Sequence, residues 1–253
     1  MMPDNFTLGE YKDLLMTAIE RNYKFIGFDQ INKGSSPYNC ILRHDVDTEL
    51  LSCLPMIEIE RSCNVKATYF LMLRSTAYNL LCIESKEIIQ EIIQSGHQIG
   101  LHFMNEYYND NSPQAVIENI LYERSVMENE LGLKISSVSF HQPSQEILSS
   151  QIFIPNMVNT YRTMDMGDFF YMSDTNMTWR AHHPMDVFSK RLHPNLQLLI
   201  HPIWWTENSI TIEDKWRDTL LFNNNVIVQH WMKRERSLSH HAFSLDFNIQ
   251  KLD

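Results

Sequence analysis

Short apolar runs alternate along this chain with stretches whose apolar residues recur at helical spacing, the pattern of a parallel sheet wrapped by helices. Thr7 with Glu10 forms a capping-box pattern that predicts a helix over 11–21, followed by a short strand over 24–28. The apolar run 39–44 predicts a buried strand. Residues 48–62 then read as a helix that Pro55 should kink or restrict to a later start, because proline lacks the N–H a helix interior needs. A strand is expected over 66–73. Ile88, Ile89, Ile92 and Ile93 give 86–95 a helical face that stops at Gly96 and hands the chain to a strand over 98–103. Ser112-Pro113 opens another helix, closed by Gly132. Strands are expected over 135–141, 169–173 and 196–201, and a long helix over 211–237, broken at Asn223-Asn224-Asn225. The polar, proline-flanked loops 105–111 and 173–184 are placed to line a site.

These strands end in titratable groups. The run Ile41-Leu42-Arg43-His44-Asp45-Val46-Asp47 closes in two carboxylates one residue apart, and later strands close at His102, His141, Asp174 and His201. Core patterning alone does not produce such repetition. It is what a barrel site assembled from the C-terminal ends of several strands requires.

Length and charge narrow the picture. The 253 residues suit one domain, 1–253, since α/β barrels run to roughly 250 residues as a single unit. A formal charge of −10, from 21 Lys+Arg against 31 Asp+Glu, excludes the basic footprint of a nucleic-acid binder. Cys40, Cys53, Cys63 and Cys82 are too widely spaced for a zinc knuckle or a redox pair and are expected as buried thiols. The first residues carry no secretory pattern, and no apolar run approaches the roughly 20 residues of a membrane span. A cytoplasmic address is the expectation.

Five blocks carry a resemblance: Leu42-Arg43-His44-Asp45-Val46-Asp47, Gly96-His97-Gln98-Ile99-Gly100-Leu101-His102, Ser139-Phe140-His141-Gln142-Pro143-Ser144, Ser173-Asp174 with Trp179, and Leu199-Ile200-His201-Pro202. In type and order they resemble the polysaccharide deacetylase superfamily, the NodB-homology fold of carbohydrate esterase family four. The Arg-His-Asp-Val-Asp opening is similar to a divergent branch found in bacterial surface-polysaccharide gene clusters. The resemblance implies a distorted (β/α) barrel and one divalent metal ion, usually zinc, held by an Asp and two His. It further implies Asp47 and His102 as ligands, Asp45 as general base, His201 as general acid and Asp174 as the group that orients it.

Two departures matter. Four residues after His102, where the family places its second histidine ligand, stands Glu106; and where the third block normally presents an arginine that holds the base, this chain has His141. Either Glu106 replaces the imidazole, or His141 completes the set from a neighbouring strand. His141 is favoured, because Asp/His/His gives the mixed ligation zinc prefers.

The expected activity is hydrolysis of an amide C–N bond, N-deacetylation of an amino sugar in a nucleotide-linked or lipid-linked surface-polysaccharide (O-antigen or capsule) precursor. Two alternatives stay open: a small-molecule amidohydrolase on the same fold, and a non-catalytic binding protein on a decayed barrel. Oligomeric state is not readable. His97 reads as a structural hydrogen-bonder, His44 as either a site neighbour or packing, and His182-His183 as rim residues. Trp179, Trp204-Trp205 and Tyr107-Tyr108 could stack on a sugar ring or simply pack, with packing favoured for Trp204.

Overall fold

The Thr7 hydroxyl accepts the N–H of Glu10, whose carboxylate reaches back to the N–H groups of Asn5 and Phe6, and α1 (Leu8–Glu20) starts from that reciprocal cap. The computed structural model describes residues 5–31, 36–180 and 182–236. β1 (Lys24–Phe25) is shorter than expected because the chain turns into a 3-10 helix at Phe28–Gln30. β2 (Asn39–Val46) is buried at every residue after the first. α2 (Cys53–Ser62) takes the later start, which leaves Pro55 in the first turn where its missing N–H costs no hydrogen bond. β3 (Thr68–Leu71) follows, then α3 (Ile83–Gln94), which begins ahead of its isoleucine pattern and ends before Gly96 at φ 81°.

β4 (Gln98–Phe103) leads to α4 (Pro113–Leu131), capped by the Ser112 hydroxyl and stopped by Gly132 in the left-handed region. After β5 (Ser137–Phe140) come α5 (Gln145–Ser150), β6 (Val158–Asn159) and α6 (Thr163–Met166), elements too short to show a period in the sequence. β7 (Phe170–Ser173), α7 (Pro184–Lys190) and β8 (Asn195–Ile200) complete the sheet and its helices. α8 (Ile212–Met232) is not broken at its asparagines, contrary to expectation. Asn223 donates its side-chain amide to the Thr48 carbonyl at 3.1 Å, so it does not compete for its own helix backbone. Residue 237, where that helix was expected to end, lies outside the described residues. Cys40 and Cys53 are buried, but Cys63 and Cys82, which stand just outside α2 and α3 at cap positions, are only half-buried.

Seven strands form a parallel sheet in the order β6-β5-β4-β3-β2-β8-β7, and β1 pairs with the start of β2. Every C-terminal strand end therefore opens on one rim. The outer strands β6 and β7 do not pair with each other among the described residues, yet Tyr161, just after β6, and Tyr171, on β7, bring their rings within 6.3 Å. Both rings stand by the guanidinium of Arg43, at 5.0 and 5.9 Å, and Phe70 of β3 flanks it at 5.4 Å. The fold is thus a distorted, incompletely closed (β/α) barrel. Its seam is filled by side chains gathered around one buried arginine.

On the other face of β2, His44 is packed behind the sheet with Glu60, which accepts from Tyr69 Oη (2.9 Å) and Tyr11 Oη and lies 2.6 Å from His44 Nε2. Two-residue alternation along the strand sends His44 away from its neighbours Arg43 and Asp45. His97 accepts the Ala67 N–H on Nδ1 at 3.1 Å, which leaves its ring proton on Nε2, 3.5 Å from Glu60. Burial depresses the His97 pKa to about 4, with nearby Glu60 opposing. An unfolded histidine titrates near 6.5, so between about 4 and 6.5 the unfolded chain binds the extra proton and stability falls as the pH is lowered through that window. Urea midpoints measured from pH 7 to 4 should drop less steeply for His97→Asn than for the parent protein.

Candidate active site

The parallel register sets the site's residues side by side. Arg43 and Asp45 lie on the barrel-facing side of β2, and Asp47 follows just beyond the strand end. His102 on β4 is paired with Ser139 on β5. His141, Asp174 and His201 each come directly after β5, β7 and β8, with His141 held by its N–H to the Phe103 carbonyl at 2.9 Å.

At the centre, Asp47 Oδ1 lies 2.9 Å from His102 Nε2 and 3.4 Å from His141 Nδ1. Among the described residues these three form a group whose donor atoms all fall within 4.8 Å of one another. Bonds of about 2.0–2.1 Å in a tetrahedron separate ligand atoms by roughly 3.3 Å, so the donor set fits a single divalent ion with small adjustments. A carboxylate and two imidazoles also leave a fourth position open, as catalysis needs. Burial opposes the charge of Asp47, but hydrogen bonds from His102 and His141 prevail and hold its carboxyl well below the usual range. The same contact with Asp47 raises the His141 pKa against the effect of burial. Glu106 is exposed in the 3-10 turn Asn105–Tyr107 and stands outside this group.

Asp45 is buried and its Oδ2 accepts from Arg43 Nη2 at 2.7 Å. The guanidinium, itself fully buried, also donates to Tyr161 Oη at 3.0 Å and approaches Gln197 Oε1 at 3.5 Å. Burial works against its charge, and Asp45 more than compensates, so Arg43 stays a cation. The other oxygen of Asp45 faces the Ser139 hydroxyl at 3.4 Å, and that hydroxyl lies 2.6 Å from His102 Nδ1. Arg43 and Ser139 were both inside recognised blocks but had no role in the sequence reading. The i, i+2 spacing of Arg43 and Asp45 on a strand was the available signal; for Ser139 the signal is the cross-strand register, which sequence alone does not display.

On the remaining flank, Asp174 is fully buried and accepts from His201 twice, from the backbone N–H (3.0 Å to Oδ2) and from Nδ1 (2.6 Å to Oδ1). Trp205 Nε1 donates to its Oδ2 at 2.8 Å. Trp205 is therefore committed to Asp174 and to packing against Phe6 and Tyr11, and does not offer a sugar platform. With Nδ1 held, His201 turns Nε2 toward Asp47 Oδ2, 4.0 Å away. Burial disfavours the imidazolium, but Asp174 outweighs it and the pKa rises to about 9.

Asp45, Asp47, His102, His141 and His201 line a cavity of ≈ 1060 Å³, walled by Trp179 and Arg180 on one loop and by Trp216 and Leu220 of α8. Of the two rim histidines, His182 lines that cavity, whereas His183 accepts the N–H of Met185 at the start of α7. Tyr107 and Tyr108 embrace Arg74 and are not part of the lining.

No family model and no curated protein matches this sequence. Solved structures do. A deacetylase of Streptococcus pyogenes, PplD, in complex with acetate is 12% identical over 77% of this chain and 81% of its own, with a TM-score of 0.45. A family 4 acetyl xylan esterase of Clostridium thermocellum in complex with a cobalt ion is 14% identical over 76% and 84%, with a TM-score of 0.40. A CE4 family pseudoenzyme of Bacillus anthracis is 14% identical over 74% and 60%, with a TM-score of 0.41. Likeness this distant leaves the chemistry to be argued from the side chains.

Proposed function

We propose that this chain is a metal-dependent amide hydrolase that removes the acyl group from an amino sugar in a surface-polysaccharide precursor, acting in the cytoplasm. One observation carries the reading: a three-ligand set, Asp47/His102/His141, lies beside a carboxylate clamped by Arg43 and an imidazole clamped by Asp174. A divalent ion, zinc by the mixed nitrogen and oxygen donors, would supply the Lewis acid that polarises the amide oxygen and makes water nucleophilic near neutral pH. Asp45, aimed by Arg43, takes the proton of the attacking water. His201, aimed by Asp174, delivers a proton to the departing amine. The cavity volume of ≈ 1060 Å³ lies at the upper end of small-molecule pockets, which favours a glycan-sized substrate over a compact amide. No helix among the described residues is long and apolar enough to cross a membrane.

The test is release of free amine from nucleotide-linked and lipid-linked N-acyl amino sugars by zinc-loaded protein, against the chelated protein as control. Failure on every such substrate by a metal-loaded protein would turn attention to a non-sugar amide. No activity and no metal uptake would leave a binding protein.

The acid role predicts a sign. In the ion-free protein His201 is protonated below a pKa of about 9, so turnover should fall on the alkaline side as this imidazolium loses its proton. A cation at Asp47 cancels part of the negative charge that supports the imidazolium, so the alkaline limb should lie below 9 in the loaded protein. His201→Gln should lower turnover by about 10²–10⁴, erase that limb and leave metal content unchanged. An unaltered pH profile in His201→Gln would remove His201 from the acid role.

A further inference from the structure

The Ser139 hydroxyl sits between a proposed metal ligand and the proposed base. Its Oγ is 2.6 Å from His102 Nδ1 and 3.4 Å from Asp45 Oδ1, while His102 Nδ1 and Asp45 Oδ2 are 3.9 Å apart, too far for a direct hydrogen bond. Ser139 and His102 are buried, at 0% and 1% exposed, so bulk water does not compete for these contacts. A hydroxyl has one proton to give.

Where that proton goes depends on the other ring nitrogen of His102. When Nε2 donates to Asp47 Oδ1, at 2.9 Å, a neutral ring has its lone pair on Nδ1 and takes the Ser139 proton. When Nε2 serves as a metal ligand it must offer its lone pair, and the ring proton moves to Nδ1. Nδ1–H then donates to Ser139 Oγ, and the hydroxyl proton turns to Asp45 Oδ1.

Resting on the metal-dependent reading above, we propose that Ser139 is a positioning residue that couples ion binding at His102 to the orientation of Asp45. By accepting from Nδ1–H the hydroxyl supports the His102 tautomer that binds metal, and in that state its single proton is committed to Oδ1 of Asp45, so that Arg43 and Ser139 grip one oxygen each. The carboxylate is then locked in one rotation when the ion is present, whereas without it the Ser139 proton is divided between Asp45 and the shorter contact to His102 Nδ1.

Zinc affinity, measured by chelator competition without any substrate, and kcat and KM at saturating zinc test this in the full chain. Ser139→Ala is expected to bind zinc about 10- to 100-fold more weakly, as loss of a ligand's hydrogen-bonding partner does, and to lose about tenfold in kcat with KM unchanged. Ser139→Thr keeps the hydroxyl and should recover both. Ser139→Ala with parental zinc affinity, or with weakened affinity and parental kcat, overturns the coupling while leaving the metal-dependent reading intact. A parent protein that takes up no zinc overturns that reading first, and the coupling with it.

Discussion

Asp47→Ala and His102→Ala are each expected to abolish stoichiometric metal uptake and with it all turnover. Each substitution takes one donor from a set of three, and the remaining pair lacks the geometry to hold an ion against water. Asp47 matters most, since both imidazoles converge on its Oδ1 and it supplies the set's negative charge. Elemental analysis after dialysis against zinc decides the matter for purified protein, and a parent protein that carries about one ion per chain is the required baseline. His141→Ala should behave in the same way and Glu106→Ala should not. Metal loss in Glu106→Ala with retention in His141→Ala would reverse the choice of third ligand.

Asp45→Asn is expected to keep the metal and lose turnover by roughly 10²–10⁴, the usual worth of a general base. The amide preserves the shape and one acceptor for Arg43 Nη2, but cannot take a proton from water. It also leaves a fully buried guanidinium without its countercharge, and removing one partner of a buried pair can cost about 3–5 kcal/mol. A lower melting temperature should therefore accompany the loss of rate. Arg43→Met tests the aim from the other side: Asp45 keeps its carboxyl group but loses its partner, so kcat and melting temperature should both fall while zinc affinity stays near that of the parent. If Asp45→Asn strips the metal instead, the base and ligand roles of Asp45 and Asp47 are interchanged.

The strand ends were legible because an apolar run that stops at Asp or His advertises both its burial and its exit. That is why Asp45, Asp47, His102, His141, Asp174 and His201 could be named before any of their distances were known. The short elements α5, β6 and α6 gave no such sign, being briefer than the period that would reveal them. The unbroken α8 was missed for another reason: three consecutive asparagines disfavour a helix locally, and the tertiary contact from Asn223 to Thr48 is invisible in a linear reading. For Trp205 the sequence leaves a sugar platform and packing equally open, because its Nε1 partner, Asp174, is 31 positions away. Local pattern reported what each strand delivers; only register reported what each delivered group touches.

The unpaired seam between β6 and β7 gives Arg43 a second constituency. Strand edges that face each other without hydrogen bonds invite pairing with foreign chains, and here two tyrosines meeting around one guanidinium keep the gap shut. On the proposed reading, the residue that closes this seam is also the one that aims the base. Replacing Arg43 should therefore open the seam whether or not the chain is active, so a stability loss in an Arg43 variant says nothing of the chemistry, whereas Asp47 lies beyond the end of β2 and away from that seam.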